Sequence, residues 1–352
     1  MVYKKMKPMT DSSKAVLKKQ WPLQLLEKVP ACPCCGALDK TLVYQDVQDW
    51  SFGCAAGKWN YWACGGCRAL YLDPRPTPGS ISEAYGRYYT HVAGPESGFL
   101  QGFKQRLKNE YWSALFQANI SPRLGLPGWG KNFSRLLKPW VAEPFGLRQL
   151  AQKPTGFLID VGCGGGNTLE MARQLGWQAM GVELDTAAVS VAQARGLHVV
   201  QGGYEVLALY KGQVDCIICS HVLEHVHYPV KLLRLLLEAL KPSGELLLST
   251  PNGSSYLRDY YGENWRGLEA PRHLAIPDAT WLINWLVGEG FSCAEIPSYD
   301  VGMMVESERI KRRGLTIISA DVNAANHLVR TKNIPLPGKQ DIVQIICTRA
   351  KA

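Results

Sequence analysis

Leu158-Ile-Asp160-Val-Gly162-Cys-Gly164-Gly165-Gly166-Asn167 is the stretch on which the fold turns. The run GFLIDVG (156–162) is apolar, too short for a helix, and ends in clustered glycines. TLEMARQLG follows with helical spacing. A strand, a glycine loop and a helix in succession let backbone approach a ligand closely beside a helix N-terminus. Asn167 with Glu170 three residues on predicts a capping box for that helix, and Gly176 its end.

The alternation continues outward. WQAMGVELD (177–185), LHVVQGG (197–203) and VDCIICS (214–220) read as further strands, and Asp185 caps a helix that stops at Gly196. A helix from Tyr228 to Leu240 leads through a KPSG turn into the strand ELLLSTPN (245–252). Asp278 caps another helix reaching Gly288, and SCAEIPSYD (292–300) and DIVQIICTRA (341–350) are the last strands. This is an α/β pattern: a doubly wound, seven-stranded Rossmann-like sheet with its ligand at the strand C-termini.

Glu183 ends the second strand about twenty residues after the glycines, where a carboxylate can accept both hydroxyls of a ribose. A dinucleotide site is the obvious rival, and it fails in detail. GxGxxG requires glycine at position 167, which is Asn, and Asp160 would repel a pyrophosphate. Asp160 suits the ammonium of a methionine moiety instead.

Residues 156–252 resemble the core of class I S-adenosylmethionine-dependent methyltransferases. LIDVGCGGG is similar to the first motif of that family, GVELD to its ribose-binding acid, and HVLEHVHYP with LKPSGELLLSTPN to its later motifs. The resemblance covers roughly residues 150–350 and implies the family's strand order with an antiparallel final strand. It implies a cofactor site formed by Asp160, Gly162, Gly164, Gly166, Glu183, Leu184 and Ser220, with adenine packing near Gly203 and Tyr204. YLDPRP (71–76) and PRHL (271–274), with the cysteine segment described next, resemble a bacterial subgroup found in sugar and secondary-metabolite pathways.

Cys32-Pro-Cys34-Cys35-Gly and Cys64-Gly-Gly-Cys67 are two CxxC pairs 28 residues apart. That pattern suits a closed tetrahedral four-cysteine zinc site in a small β ribbon, where metal supplies folding energy that so small a core lacks. Redox chemistry is the alternative, and two pairs in one short module favour zinc. Cys34 and Cys54 are spare thiols, and Cys34 could replace Cys35. A closed site leaves no open position for catalysis, so its role is structural or substrate-docking. The eleven cysteines, in a chain without a secretion signal, do not suggest disulfides.

His221-Val-Leu-Glu224-His225, with His273 about fifty residues on, is the third constellation. HxxEH alone is an inverzincin protease signature, but that needs a sustained helix, and Pro229 interrupts one. Three readings remain. His225 or His221 acts as a general base; the cluster holds a second divalent metal; or Glu224 and His225 only tie a loop to its neighbours. The metal reading rests on resemblance to metal-assisted small-RNA 2′-O-methyltransferases and ubiquinone-pathway O-methyltransferases, with His221 standing where they carry an acid.

The division expected from composition is a basic tail (1–30), the ribbon (31–75), an aromatic-rich helical segment (76–150) and the methyltransferase domain (151–352). DPRPTPGS (73–80) reads as a linker. Residues 1–150 hold 20 Lys and Arg against 10 Asp and Glu, while 151–352 hold 19 against 20. The basic part favours an anionic partner or is simply a solvated face. No run of about 18 uncharged apolar residues exists, and with no secretory signal a cytoplasmic protein is expected. The expected acceptor is a small anionic or aromatic molecule; Tyr85, Tyr88, Tyr89, Trp112, Tyr256, Tyr260, Tyr261 and Trp265 are candidates to line its pocket, although aromatic residues at helical spacing are more often core. RNA is the rival acceptor, gripped by the ribbon, whose only basic residues are Lys40, Lys58, Arg68 and Arg75.

Overall fold

The computed structural model describes residues 11–86, 99–126, 144–153, 155–296, 298, 301–314, 316–331 and 339–350. Its N-terminal strands are β1 (Leu26–Glu27), β2 (Lys40–Val47), β3 (Trp59–Cys64), β4 (Leu70–Leu72) and β5 (Arg75–Pro76). Then come β6 (Phe157–Val161), β7 (Gln178–Glu183), β8 (His198–Gln201), β9 (Val214–Ser220) and β10 (Leu240–Pro251). β11 (Ala275–Ile276), β12 (Phe291–Glu295) and β13 (Ile342–Arg349) complete the set. A seven-stranded mixed sheet has the order β12-β13-β10-β9-β6-β7-β8, and a four-stranded antiparallel sheet the order β11-β4-β3-β2. The larger sheet has the predicted seven strands in the predicted doubly wound α/β arrangement. No described helix is long and apolar enough to cross a membrane.

Two compact units divide the chain. One holds the described residues of Tyr89–Ile218 and Glu238–Glu245; the other holds those of Lys5–Tyr88, Cys219–Leu237 and Leu246–Ala352. They cut the chain differently from the division by composition.

In the first unit β6 and β7 pair in parallel, as do β7 and β8. Leu158, Ile159, Met180 and Val182 are buried, as near-continuous apolar runs covered on both faces require. Helix Asn167–Gln174 follows the glycine loop and helix Thr186–Ala194 follows β7. Asp185 caps the latter as expected, its Oδ1 accepting from the Ala188 amide at 2.8 Å. The capping box at Asn167 does not form. Gly166, left-handed at φ 82°, takes the N-cap position without a side-chain bond. Asn167 accepts from Arg195 instead, and Glu170 pairs with Arg173. KPSG is also not a turn: Leu240–Pro251 is one continuous strand.

In the second unit β11 closes the small sheet, with Ala275 opposite Tyr71 and Ile276 opposite Leu70. DPRPTPGS is not a linker but packed chain: β5 pairs with β1, Arg75 is buried against Glu27, and Asp73 accepts from the Val29 amide. Asp278 caps helix Ala279–Gly288 through the Trp281 amide at 2.9 Å. β12 and β13 are antiparallel, with Cys293 directly opposite Cys347. These two are disulfide-bonded, with Cα atoms 4.2 Å apart, contrary to the expectation of reduced cysteines. Directly opposed residues of a non-hydrogen-bonded antiparallel pair approach to about 4.5 Å, so register alone brings the sulfurs together.

Candidate functional site

The glycine loop is held from below and open above. Gly162 and Cys163 donate to the Val182 carbonyl at 2.8 and 3.3 Å, and Arg195 holds the Gly165 carbonyl and the Asn167 side chain. Gly166 is left-handed at φ 82°, a backbone that other residues rarely adopt, and a Cβ there would come 2.4 Å from the Leu197 side chain. At Gly164, φ 52°, a Cβ would meet nothing within 4 Å: this side of the loop is free for a ligand.

Glu183 ends β7 with its oxygens on backbone amides, Oε2 accepting from Gly164 at 2.8 Å and Oε1 from Asp185 at 2.9 Å. Leu184 beside it is 73% exposed. Gly203 is the N-cap of the 3-10 turn Tyr204–Tyr210, and Gly202 donates to the Glu183 carbonyl at 2.9 Å. Asp160 is buried, and its Oδ2 has no hydrogen-bond partner. Desolvation, with the Glu183 charge added, pushes its carboxyl up to about 8. An orphaned buried carboxylate is costly unless a cation meets it, and the ammonium of a methionine moiety has that charge. The residues fit S-adenosylmethionine.

The four-cysteine site is built from two matching knuckles. Gly36 donates to the Cys32 carbonyl and Arg68 to that of Cys64, both at 2.9 Å, with Gly36 and Arg68 left-handed. Cys32 and Cys64 donate in turn to the carbonyls of Ala37 and Ala69. The sulfurs of Cys32 and Cys67 are 3.6 Å apart and those of Cys35 and Cys64 3.4 Å. All four lie within 4.8 Å of one another. Zinc–sulfur bonds of 2.3 Å in a tetrahedron would separate the sulfurs by about 3.8 Å, so the set fits zinc. Cys35, and not the spare Cys34, completes this group. Amides of Gly66 and Cys67 also point at the Cys64 sulfur, as around a thiolate.

The second unit also gathers Glu224, His225 and His273, one ligand atom of each within 4.8 Å of the others. His221 is not among them: it is left-handed, its side chain 46% exposed, and it touches Glu224 Oε1 at 3.2 Å. Glu224 is fully buried, and its other oxygen accepts from Thr250 at 2.9 Å. Burial raises the Glu224 carboxyl, but the His221 hydrogen bond and the neighbouring imidazoles outweigh it and hold the group at about 2. Desolvation lowers His273 to about 4. At neutral pH these are a carboxylate and a neutral imidazole, the forms that bind a cation.

Both imidazoles of the group are turned the same way. His273 Nδ1 is 2.6 Å from the Gly267 carbonyl, and His225 Nδ1 is 3.1 Å from that of Arg272. A carbonyl only accepts, so each Nδ1 carries a hydrogen, and in the neutral His273 the lone pair is left on Nε2. Tyr85, which sequence suggested as pocket lining, places its hydroxyl 3.1 Å from the same His225 nitrogen. Sequence reading missed Thr250, Arg195 and the carbonyl partners; only the PRHL stretch, through its family resemblance, marked Arg272.

Residues 131–296 match the family model described as "Methyltransferase domain". A ubiquinone biosynthesis O-methyltransferase of Xanthomonas oryzae is 37% identical over 102 residues, 27% of this chain and 43% of that protein. Its Escherichia coli O127:H6 namesake is 30% identical over 168 residues, 43% of this chain and 66% of that protein. The chain thus spans less than half the length of the first relative. A solved SAM-dependent methyltransferase from Archaeoglobus fulgidus is 20% identical, with a TM-score of 0.40 over 62% of this chain and 99% of that one. With the glycine loop, the strand order and the family match in agreement, the chain carries a class I S-adenosylmethionine-dependent methyltransferase domain.

Proposed function

We propose that this protein transfers the methyl group of S-adenosylmethionine to an oxygen of a small molecule. The buried carboxyl of Asp160, whose Oδ2 has no hydrogen-bond partner, beside the open glycine loop carries the cofactor assignment. S-adenosylmethionine supplies an electrophilic methyl on sulfur, and transfer is an in-line displacement in which positioning provides much of the acceleration. Asp160 pairs with the ammonium, the loop amides face the methionine end, and Glu183 exchanges its amide partners for the ribose hydroxyls. Leu184, Gly203 and Tyr204 take the adenine side. Zinc at Cys32, Cys35, Cys64 and Cys67 is structural.

Glu224, His225 and His273 hold a divalent cation in this reading; the ionised Glu224, the neutral His273 and the Nδ1–H···O=C bond made by both imidazoles support it. Such an ion lowers the pKa of a bound acceptor hydroxyl, while the chain's own part is to fix the ligand atoms. Two imidazoles and one carboxylate suit zinc, iron or nickel better than magnesium. The curated relatives are O-methyltransferases by name, which supports an oxygen acceptor. Nucleic acid is disfavoured by the charges of the cysteine module: Lys40, Lys58, Arg68 and Arg75 are each paired with a carboxylate, of Asp73, Asp46, Asp278 and Glu27 respectively.

Two measurements test the cofactor site. Glu183→Ala is expected to weaken S-adenosylhomocysteine binding about tenfold or more, since hydrogen bonds to a charged acceptor contribute ~1.5–3 kcal/mol. Unchanged affinity in calorimetry removes Glu183 from the ribose site, and NADH binding of equal strength overturns the cofactor assignment. The second uses pH. With its carboxyl at about 8 in the ligand-free protein, Asp160 is protonated at pH 7 and must ionise to meet an ammonium. Affinity should therefore rise as pH rises from 6 to 8, by at most about tenfold per pH unit, then level off. Asp160→Asn should bind weakly with the slope abolished; a wild-type affinity flat across this range excludes the pairing.

A further inference from the structure

We propose that Asp49, acting through the guanidinium of Arg272, is the positioning residue that fixes the imidazole of His225. The inference rests on the reading of Glu224, His225 and His273 as a working centre. It concerns how one member of that centre is held, and by which part of the chain.

Asp49 lies between β2 and β3, between the two cysteine knuckles in sequence, and is fully buried. Its oxygens are placed by three backbone donors: Phe52 at 3.1 Å on Oδ1, and Cys54 at 2.9 Å and Ala55 at 3.0 Å on Oδ2. Arg272, also fully buried, meets both oxygens of this preset carboxylate in a fork, Nη1 on Oδ2 at 3.0 Å and Nη2 on Oδ1. Its Nε donates to Glu269 at 3.0 Å, and the Phe52 ring lies 4.7 Å from the guanidinium carbon. A pair so desolvated adds little net stability, because burial costs about what attraction returns. Its geometry is bidentate and planar, and that is what it contributes.

What the fork fixes is the surroundings of one nitrogen. The Arg272 carbonyl accepts from His225 Nδ1 at 3.1 Å. Arg272 Nη1 also donates to the Ala84 carbonyl at 3.0 Å. Ala84 precedes Tyr85, whose hydroxyl is the other group 3.1 Å from that Nδ1. One side chain therefore pins both partners of His225 Nδ1, and Asp49 pins that side chain. The outcome is an Nδ1–H tautomer that leaves Nε2 as the ring nitrogen available to the cluster, whereas free neutral histidine favours Nε2–H. Removing the support of a metal-binding imidazole typically costs about 10- to 100-fold in affinity.

Full-length protein labelled with ¹⁵N in its imidazoles, without added metal at pH 8, tests this directly, with His225 assigned by loss of its signals in His225→Ala. Wild-type His225 is expected as Nδ1–H, and Asp49→Asn, which cannot accept both arms of the fork, is expected to shift it toward Nε2–H. S-adenosylhomocysteine affinity and the zinc content should not change in that variant, while cobalt(II) affinity of the cluster should fall about 10- to 100-fold. Wild-type His225 found as Nε2–H overturns the proposal. So does a folded Asp49→Asn with wild-type His225 signals. If Asp49→Asn does not fold, Tyr85→Phe decides: the locked Arg272 carbonyl must keep His225 as Nδ1–H without the hydroxyl, and conversion to Nε2–H refutes it. A tautomer change with cobalt affinity intact leaves the positioning standing and removes the metal reading of the cluster instead.

Discussion

Mild chelation should abolish methyl transfer while leaving S-adenosylhomocysteine affinity unchanged, and added zinc, iron(II) or cobalt(II) should restore it. His225→Ala and His273→Ala should each lower turnover by about 10²–10⁴-fold, the range expected when an acceptor proton loses its acid–base or Lewis-acid partner. Turnover is read as S-adenosylhomocysteine release with an accepted acceptor. The prediction follows from what is gathered at one place: a carboxylate held ionised, a histidine held neutral and a second imidazole turned the same way. Chelation separates two chemistries. If His225 is a general base, activity survives the chelator but still falls in His225→Ala. Full activity in both alanine variants would reduce the cluster to a set of ties within the loop. The four-cysteine site must survive the treatment, so circular dichroism before and after chelation is part of the measurement.

The other large effect is expected at Cys64. Cys64→Ser should reduce zinc from one per chain to none by elemental analysis, and the protein should lose its cooperative melting transition and aggregate. Structural zinc contributes about 10–16 kcal/mol to folding in zinc-finger peptides, whereas a whole domain is stable by only about 5–15 kcal/mol. Losing the first of these leaves nothing to offset the entropy of the segment. The sheet that carries Cys64 also carries Tyr61, whose buried hydroxyl bonds the backbone at Leu268 and His273. Loss of the metal should therefore reach the histidine cluster of the same unit. Metal-free protein with a wild-type melting temperature would refute the zinc assignment.

What could be read from sequence was local or periodic. The glycine loop, the acid at Glu183, the caps at Asp185 and Asp278 and the strand count all rest on signals within a few residues. The capping box failed because two signals compete within one turn. Asn167 has the residue type of a cap, but Gly166, free to adopt a left-handed backbone, takes that place and leaves Asn167 to Arg195. The disulfide is not legible from cysteine usage and compartment, because what joins Cys293 to Cys347 is the register of two edge-side strands. The contact between Asp49 and Arg272 spans 223 positions and has no periodicity to announce it. Within the histidine motif, residue types identified Glu224, His225 and His273 as a group but also included His221, which meets Glu224 at 3.2 Å yet is half exposed and lies outside the group.

The pairing of β4 with β11 has a consequence for how the protein is made. Tyr71 and its partner Ala275 leave the ribosome about 200 residues apart, which at ~5–20 residues per second is ~10–40 seconds. Through that interval the nascent cysteine sheet has one strand edge without its partner, on residues that end up wholly buried: Leu70, Tyr71 and Leu72. Unpaired apolar edges recruit other strands. A chain stalled or cut before residue 275 would keep its four thiols and its sticky edge together, so early capture of metal would protect the thiols but not the edge. Expression of residues 31–75 alone should reproduce that half-finished state, since the last strand of the sheet is encoded elsewhere.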